Sequence, residues 1–312
     1  MSVCAPNGVR IRTPRYGPFY ETLEHVPKLM AELLSSYAGI PEKEQIAHIT
    51  KLRNEGFAQF PYNCMGTFRF LDLDFSRHYA YKEHVLAPLS QPTVPGKPEP
   101  LFLDCGSCLG QDVRKLVFDG ALPHRVWGSD IEPRFIELGF ELFRDADKLS
   151  RDHFLCPGNL FANTGDPVDD KLARLNDKVT ILHLMAVFHL FDLDDHKRVV
   201  DRCLRMLKKN TGTPVLCLGA QAGSQEPKGV PRREGDNRYR YFHNEASWEA
   251  LWRGVCAQPQ WKDQIAALEV KSKMYGRSRN EDPNAHHAVT LHEAEPGDEW
   301  LWQMWEVWVT FK

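Results

Sequence analysis

The chain has 312 residues, 42% of them hydrophobic and 26% charged, with 21 Gly and 21 Pro. Those values exclude collagen-like, coiled-coil and disordered classes and leave a globular protein of one or two domains. A formal net charge of -3 removes any global positive field, which argues against nucleic-acid and membrane-surface partners.

Residues 1–14 contain Arg10 and Arg12 but no apolar run, so no signal peptide is expected. The longest apolar stretch, 179–193, is interrupted by His183 and His189 and falls short of the ~20 residues of a membrane helix. Eight cysteines scattered through apolar segments do not match a secreted disulfide scaffold, and the expected setting is reducing and cytoplasmic.

Residues 20–84 read as helical. Leu23, Val26, Leu29, Met30, Leu33 and Leu34 recur at spacings of three and four, with Pro27 as either a kink or the true helix start. Pro41 opens a helix over 42–60, where Ile46, Ile49, Leu52 and Phe57 share one stripe. Segment 90–100 holds four prolines and a glycine and reads as a linker, dividing a helical cap (1–95) from a second domain (96–312).

Beyond the linker the pattern alternates. Strands are predicted at 101–104, 125–129, 153–156, 179–185 and 214–220, and helices at 109–118, 133–143 and 194–208. Pro133 suits a first helical turn, and acids before with lysines after suit the dipole of the third helix. Alternation of this kind gives an α/β fold with a doubly wound, mostly parallel sheet covered on both faces. Residues 221–244 read as a long polar loop, 245–255 as a helix, and 264–275 with 300–311 as a closing antiparallel pair. Aromatic and β-branched residues, including Trp300, Trp302, Trp305 and Trp308, favour strand in the last segment.

The sharpest chemical feature is LFLDCGSCLGQDVRKL. A strand ends at Asp104, turns through Gly106 and Ser107, and enters a helix near Gly110, so that backbone can approach a ligand at a helix start. The next strand ends in Ser129 and Asp130, where an acid can accept both hydroxyls of a ribose. A dinucleotide fingerprint needs three glycines, and this turn has only Gly106 and Gly110.

The arrangement resembles the first motif of the class I S-adenosylmethionine-dependent methyltransferases, with Cys108 in place of the middle glycine. The resemblance covers about 100–311 and implies a Rossmann-like, seven-stranded sheet ending in the antiparallel pair. It implies that Asp104, Gly106, Ser107, Gly110 and Ser129 line the cofactor, that Asp130 holds the ribose, that Ile131 packs on the adenine, and that Asn159 and Leu160 follow the third strand at the adenine. It implies too that 183–190 (HLMAVFHL) face the methyl group and substrate. At a finer level SSYAGIPEKEQIAHITKLRNEGF, SDIEP and FHLFDLDD resemble the methyltransferases of fungal meroterpenoid and polyketide clusters. That resemblance implies a homodimer and methyl-ester formation on the carboxyl of an aromatic-terpenoid intermediate.

Other chemistries remain open at this level. A phenolic polyketide substrate would need a base, and His189 is the candidate for base or positioning group. A nicotinamide oxidoreductase would use the same turn and acid, and a non-catalytic cofactor-binding protein would keep both. Cys105 and Cys108 form a C-x-x-C, but Asp104 beside it opposes a thiolate and no second pair exists for zinc. Asp192, Asp194 and Asp195 read as helix-capping acids rather than metal ligands, so no metal is expected. Arg232, Arg233, Arg238 and Arg240 fall at the ligand-binding end of the sheet, where one can pair with a substrate carboxylate. Tyr16, Phe19, Tyr20, Phe57, Phe60 and Phe68 are mainly core, with a few expected at substrate. His286, His287 and His292 are expected to be solvated.

Overall fold

A computed structural model describes residues 19–93, 96, 99–232, 238–279, 289–298 and 301–312. Five parallel strands form its centre: β1 (Phe102–Cys105), β2 (Val126–Ser129), β3 (Phe154–Leu155), β4 (Ile181–Met185) and β5 (Val215–Gly223). A hairpin of β6 (Lys228–Pro231) and β7 (Tyr239–Phe242) follows. Three further strands then close the sheet: the long β8 (Ile265–Arg279), the short β9 (Val289–Glu293) and the long β10 (Leu301–Phe311). The order is β3-β2-β1-β4-β5-β10-β8-β9, with β10 antiparallel to both β5 and β8.

Strand alternation decides what each face buries. Leu103, Cys105, Leu182, Leu184, Cys217, Trp305 and Val307 point to one side, against α7 (Leu193–Met206) and α8 (Glu245–Cys256). Phe102, Val126, Ile181, Leu216 and Leu218 point to the other. There α5 (Gln111–Phe118) contributes Val113 and Leu116, and α6 (Pro133–Phe143) contributes Ile136 and Phe140. Trp248 and Trp252 of α8 and Trp305 of β10 are fully buried. Each is worth at least the ~1.5–3 kcal/mol that burying a large apolar side chain supplies.

The cap begins with α1 (Lys28–Glu32), which runs on through a π-helical turn at Leu33–Tyr37. Pro27 lies outside α1 with φ -53 and ψ 138, so it marks the helix start and does not kink it. Next come α2 (Glu42–Gln59), α3 (Asn63–Gly66), short turns at Arg69–Leu71 and Asp74–Arg77, a π-helical segment at Tyr81–Leu86 and α4 (Ala87–Ser90). Cap residues Ile49, Leu52, Phe57 and Phe68 share one core with Phe135, Leu138 and Leu142 of α6. Phe75, Tyr81, Val85 and Leu89 lie directly on the sheet core.

The sheet has eight strands where seven were expected, because β9 extends the closing pair into three. His292 lies within β9, with Nε2 at 3.2 Å from Asp298 Oδ1, not in a solvated loop. The expected loop 221–244 instead contains the β6–β7 hairpin, which is held down by Tyr241 N–H donating to Phe191 O at 2.8 Å. Asp192 caps α7, its Oδ1 accepting from Asp195 N–H at 2.9 Å. Asp194 and Asp195 pair with Lys197 and Arg198. Tyr16, Arg233, His286, His287 and Trp300 lie outside the described residues. Among the described residues no helix is long and apolar enough to cross a membrane, and no group of acids, histidines and cysteines could hold a metal ion.

Candidate functional site

The glycine turn sits at the carboxyl ends of β1 and β2, the crevice where open α/β sheets bind ligands. Gly106 and Gly110 have φ of +79 and +66, a region that L side chains rarely adopt. A Cβ on Gly106 would meet Val187 Cγ2 at 2.7 Å, and one on Gly110 would strike the Arg114 guanidinium and the Phe154 ring. Cys108 between them has φ +53, so the residue replacing the middle glycine still takes the left-handed backbone. That conformation costs of order 1–3 kcal/mol and persists because its surroundings fix it.

Those surroundings are visible in the hydrogen bonds. Gly106 and Ser107 N–H groups both donate to Ser129 O, at 2.8 and 2.9 Å, and Gly110 N–H donates to Ser107 O at 2.7 Å. Cys108 N–H donates to Asp130 Oδ2 at 2.9 Å, while Asp130 Oδ1 accepts from Glu132 N–H at 3.0 Å. The turn's donors are therefore spent on its own shape, and the end of β2 holds it closed. Asp130 keeps acceptor capacity, because an ionised carboxylate offers about four lone-pair sites. Burial pushes its pKa up to about 6, against the backbone N–H groups that favour the charged form.

Beside Asp130, Ile131 is 47% exposed, an apolar surface at the mouth of the crevice. Gly158 N–H donates to Asp130 O at 2.7 Å and brings the segment after β3 alongside. Asn159 is exposed, and its Oδ1 already accepts from Phe161 N–H at 2.9 Å. Leu160 is buried, in the core under α7. Ser129 and Ser107 are buried too, and the Ser107 hydroxyl has no hydrogen-bond partner among the described residues.

Asp104 corrects the expectation of a ligand-facing acid. It is 2% exposed, with its Oδ1 at 2.8 Å from His183 Nδ1, and Phe75 of the cap stacks on that imidazole at 3.8 Å. The pair lies on the inward face of β1 and β4, so Asp104 and His183 support the crevice from beneath. Cys105 points into the α7–α8 core, whereas Cys108 faces the cap, with Sγ at 3.7 Å from Met65 Sδ. The C-x-x-C thiols thus lie on opposite sides of the strand end, and the seven described cysteines are free.

His189 follows β4. Its Nδ1 accepts from Ala222 N–H at 3.1 Å. An imidazole accepting at Nδ1 carries its proton on Nε2. Around it lies an apolar floor of Met185, Ala186, Ala222, Tyr275, Trp302 and Met304. The Trp302 ring is 6.0 Å from the imidazole, and the Arg69 guanidinium of the cap lies 5.3 Å from the same ring. Phe19, Phe57 and Phe68 are core, the first and last of them packed on the buried Arg53, and among the described members of this aromatic set only Phe60 is exposed. It contacts Tyr62 at 4.3 Å. Burial, and then the charge of Asp130, push the Tyr62 phenol up.

Sequence reasoning missed Arg114 and Asp145. Arg114 is fully buried, donating to Leu109 O at 2.9 Å and Gly110 O at 3.3 Å, and forming a two-pronged pair with Asp145 at 2.8 and 3.1 Å. Tyr37 of the cap donates to the same carboxylate at 2.9 Å. One arginine so fixes the turn, the end of α6 and the cap together. The signal available was a charged residue between the core positions Val113 and Leu116.

A family model described as a meroterpenoid methyltransferase N-terminal domain matches residues 19–71 of this chain. The chain is 32% identical over 233 residues to the asnovolin E/chermesin D methyltransferase nvfJ of Aspergillus novofumigatus, spanning 75% of this chain and 78% of that protein. It is 31% identical over 248 residues to the O-methyltransferase phiE of a fungal species, with 80% and 77% covered. The methyltransferase trt5 of Aspergillus terreus is 30% identical over 240 residues, with 77% and 80% covered.

Proposed function

The chain belongs to the fungal methyltransferase family that includes nvfJ, phiE and trt5 and is a methyltransferase enzyme; from that premise we propose that it uses S-adenosylmethionine to esterify the carboxyl group of an aromatic-terpenoid acid. The cofactor fits what the crevice offers. Asp130 has lone pairs left for two ribose hydroxyls, and exposed Ile131 offers a surface for adenine. Leu160 and Asn159 then close the adenine end, with the second Asn159 Oδ1 lone pair open to the adenine amine. Ser107, Ser129 and Asp104 hold the turn in shape. When bound, S-adenosylmethionine supplies an electrophilic methyl group.

The observation that carries the carboxylate reading is the hydrogen bond from Ala222 N–H to His189 Nδ1. It leaves His189 a donor at Nε2, suited to orienting an oxygen and not to removing a proton. A carboxyl with pKa near ~4 arrives ionised at neutral pH and needs no base, whereas a phenol near ~10 does. Catalysis then consists of holding the carboxylate on the Trp302–Met304 floor, aligned with the methyl group and away from water. The proposal also takes in the cap at 1–95 and methyltransferase domain at 96–312, a cytoplasmic setting and a homodimer.

The test compares His189→Ala and His189→Gln on an acid substrate across pH 6.5–9. A donor role gives a flat pH profile, a loss of about tenfold or more for His189→Ala, and partial rescue by glutamine, whose amide N–H also donates. A rate that rises with pH and equal loss in both variants would mark a base and sink the carboxylate reading.

A further inference from the structure

The β6–β7 hairpin brings together two arginines that are eight positions apart in the chain. Arg232 follows β6 directly, Arg240 lies within β7, and Arg232 N–H donates to Arg238 O at 2.9 Å to close that end of the hairpin. The hairpin is stitched to the turn that carries His189. Tyr241 N–H donates to Phe191 O at 2.8 Å, and Arg232 Nη2 donates to Leu190 O at 2.5 Å. The arginines are thereby fixed beside the proposed substrate chamber, not trailing in solvent.

Both side chains are half-buried, and both Nε atoms are buried without an acceptor among the described residues. No described carboxylate pairs with either guanidinium. Burial, and then the charge of Arg232, lower the proton affinity of Arg240. Two partly desolvated like charges side by side are unfavourable until an anion joins them. The more deeply buried arginines Arg114 and Arg202 each have such a partner, Asp145 and Asp170. The guanidinium fork matches a carboxylate in shape as well as charge, which a lysine would not.

We propose that Arg232 and Arg240 form the receptor for the substrate's carboxylate, an inference that rests on the carboxylate reading above. The arginine pair supplies the charge, and the Trp302–Met304 floor takes the apolar body. Neutral analogues of the same shape are then rejected because they leave two half-buried cations unpaired.

The experiment measures binding of 2-naphthoic acid and of its isosteric amide, 2-naphthamide, to the full chain saturated with S-adenosylhomocysteine. Wild type should prefer the acid by at least about tenfold, the ordinary worth of a charge-assisted pair. Arg240→Gln, which leaves the Arg232 bond to Leu190 in place, should lose most of that preference while binding S-adenosylhomocysteine as wild type does. Acid preference that survives in Arg240→Gln overturns the arginine assignment and leaves the carboxylate reading standing. Wild type without acid preference, or binding neither compound, overturns both. Loss of S-adenosylhomocysteine affinity in the variant would mean that the arginine holds the cofactor's own carboxylate, and would also overturn the proposal.

Discussion

Asp130 faces two opposed demands at the residue scale. Its burial favours the neutral acid and lifts its pKa to about 6, whereas hydroxyl donors from a ribose favour the carboxylate. Cofactor binding must then lower its pKa, and linkage requires affinity to fall as pH drops below about 6. Titrations with S-adenosylhomocysteine should show full affinity near pH 7–8 and roughly a tenfold loss per pH unit well below 6. Asp130→Asn should bind about 10–100-fold more weakly at pH 7.5 and lose that pH dependence. An affinity flat from pH 5 to 8 in the wild type would remove Asp130 from the ribose site. This residue was legible in the sequence because its role depends only on a strand ending in an acid after a glycine turn. Asp104 looked equivalent, yet strand alternation turns it inward onto His183, and only the pairing of β1 with β4 reveals that.

Arg114 decides how elements are joined. It links α5, the segment after α6 and the cap through fully buried partners, so removing one partner strands a charge in the core. Asp145→Ala should cost about 3–5 kcal/mol of stability, and Tyr37→Phe about 1 kcal/mol, read from urea midpoints. Glu137→Ala, which breaks an ion pair to Arg151 with both side chains half-exposed, should stay within the scatter of surface substitutions. Equal effects of Asp145→Ala and Glu137→Ala would refute the argument. The helices and parallel strands themselves were readable, because each carries its own apolar period and its own end signals. The β6–β7 hairpin was not readable. It is short, polar and rich in arginine, and it exists through bonds to Leu190 and Phe191 that no local pattern encodes.

Three buried histidines set the acid behaviour of the whole molecule. Burial depresses His78 and His196 to about 4 and His243 to about 3, and His196 Nδ1 lies 3.0 Å from His243 Nε2. The unfolded chain takes up protons from about pH 6.5 downward while the folded one resists until about 4. Their contribution is thus full above pH 6.5 and is lost as pH falls toward 4, at up to about 1.4 kcal/mol per pH unit for each histidine. Asp130 and Asp112 oppose this, two groups against three, because burial raises the folded-state pKa of both carboxyls. Urea unfolding at pH 7.5 and 5 should show a clearly lower midpoint at pH 5, and a His243→Gln variant should show a smaller difference. A midpoint unchanged between those two pH values would contradict the assignment of neutral buried histidines.

The sequence by itself determined the α/β alternation, the glycine turn with Asp130 at the end of the next strand, and the family, since these rest on local periods and contiguous motifs. Tertiary structure alone decided the face each side chain serves. It turned Asp104 to His183, fixed the proton of His189 through Ala222, and tied Arg232 to Leu190 next to that histidine. It also merged cap and sheet into shared cores, with Phe75, Tyr81 and Val85 packed on β1 and β4. Register and long-range pairing are not written in a local pattern, because a shift of one residue exchanges the faces of a strand without changing its composition.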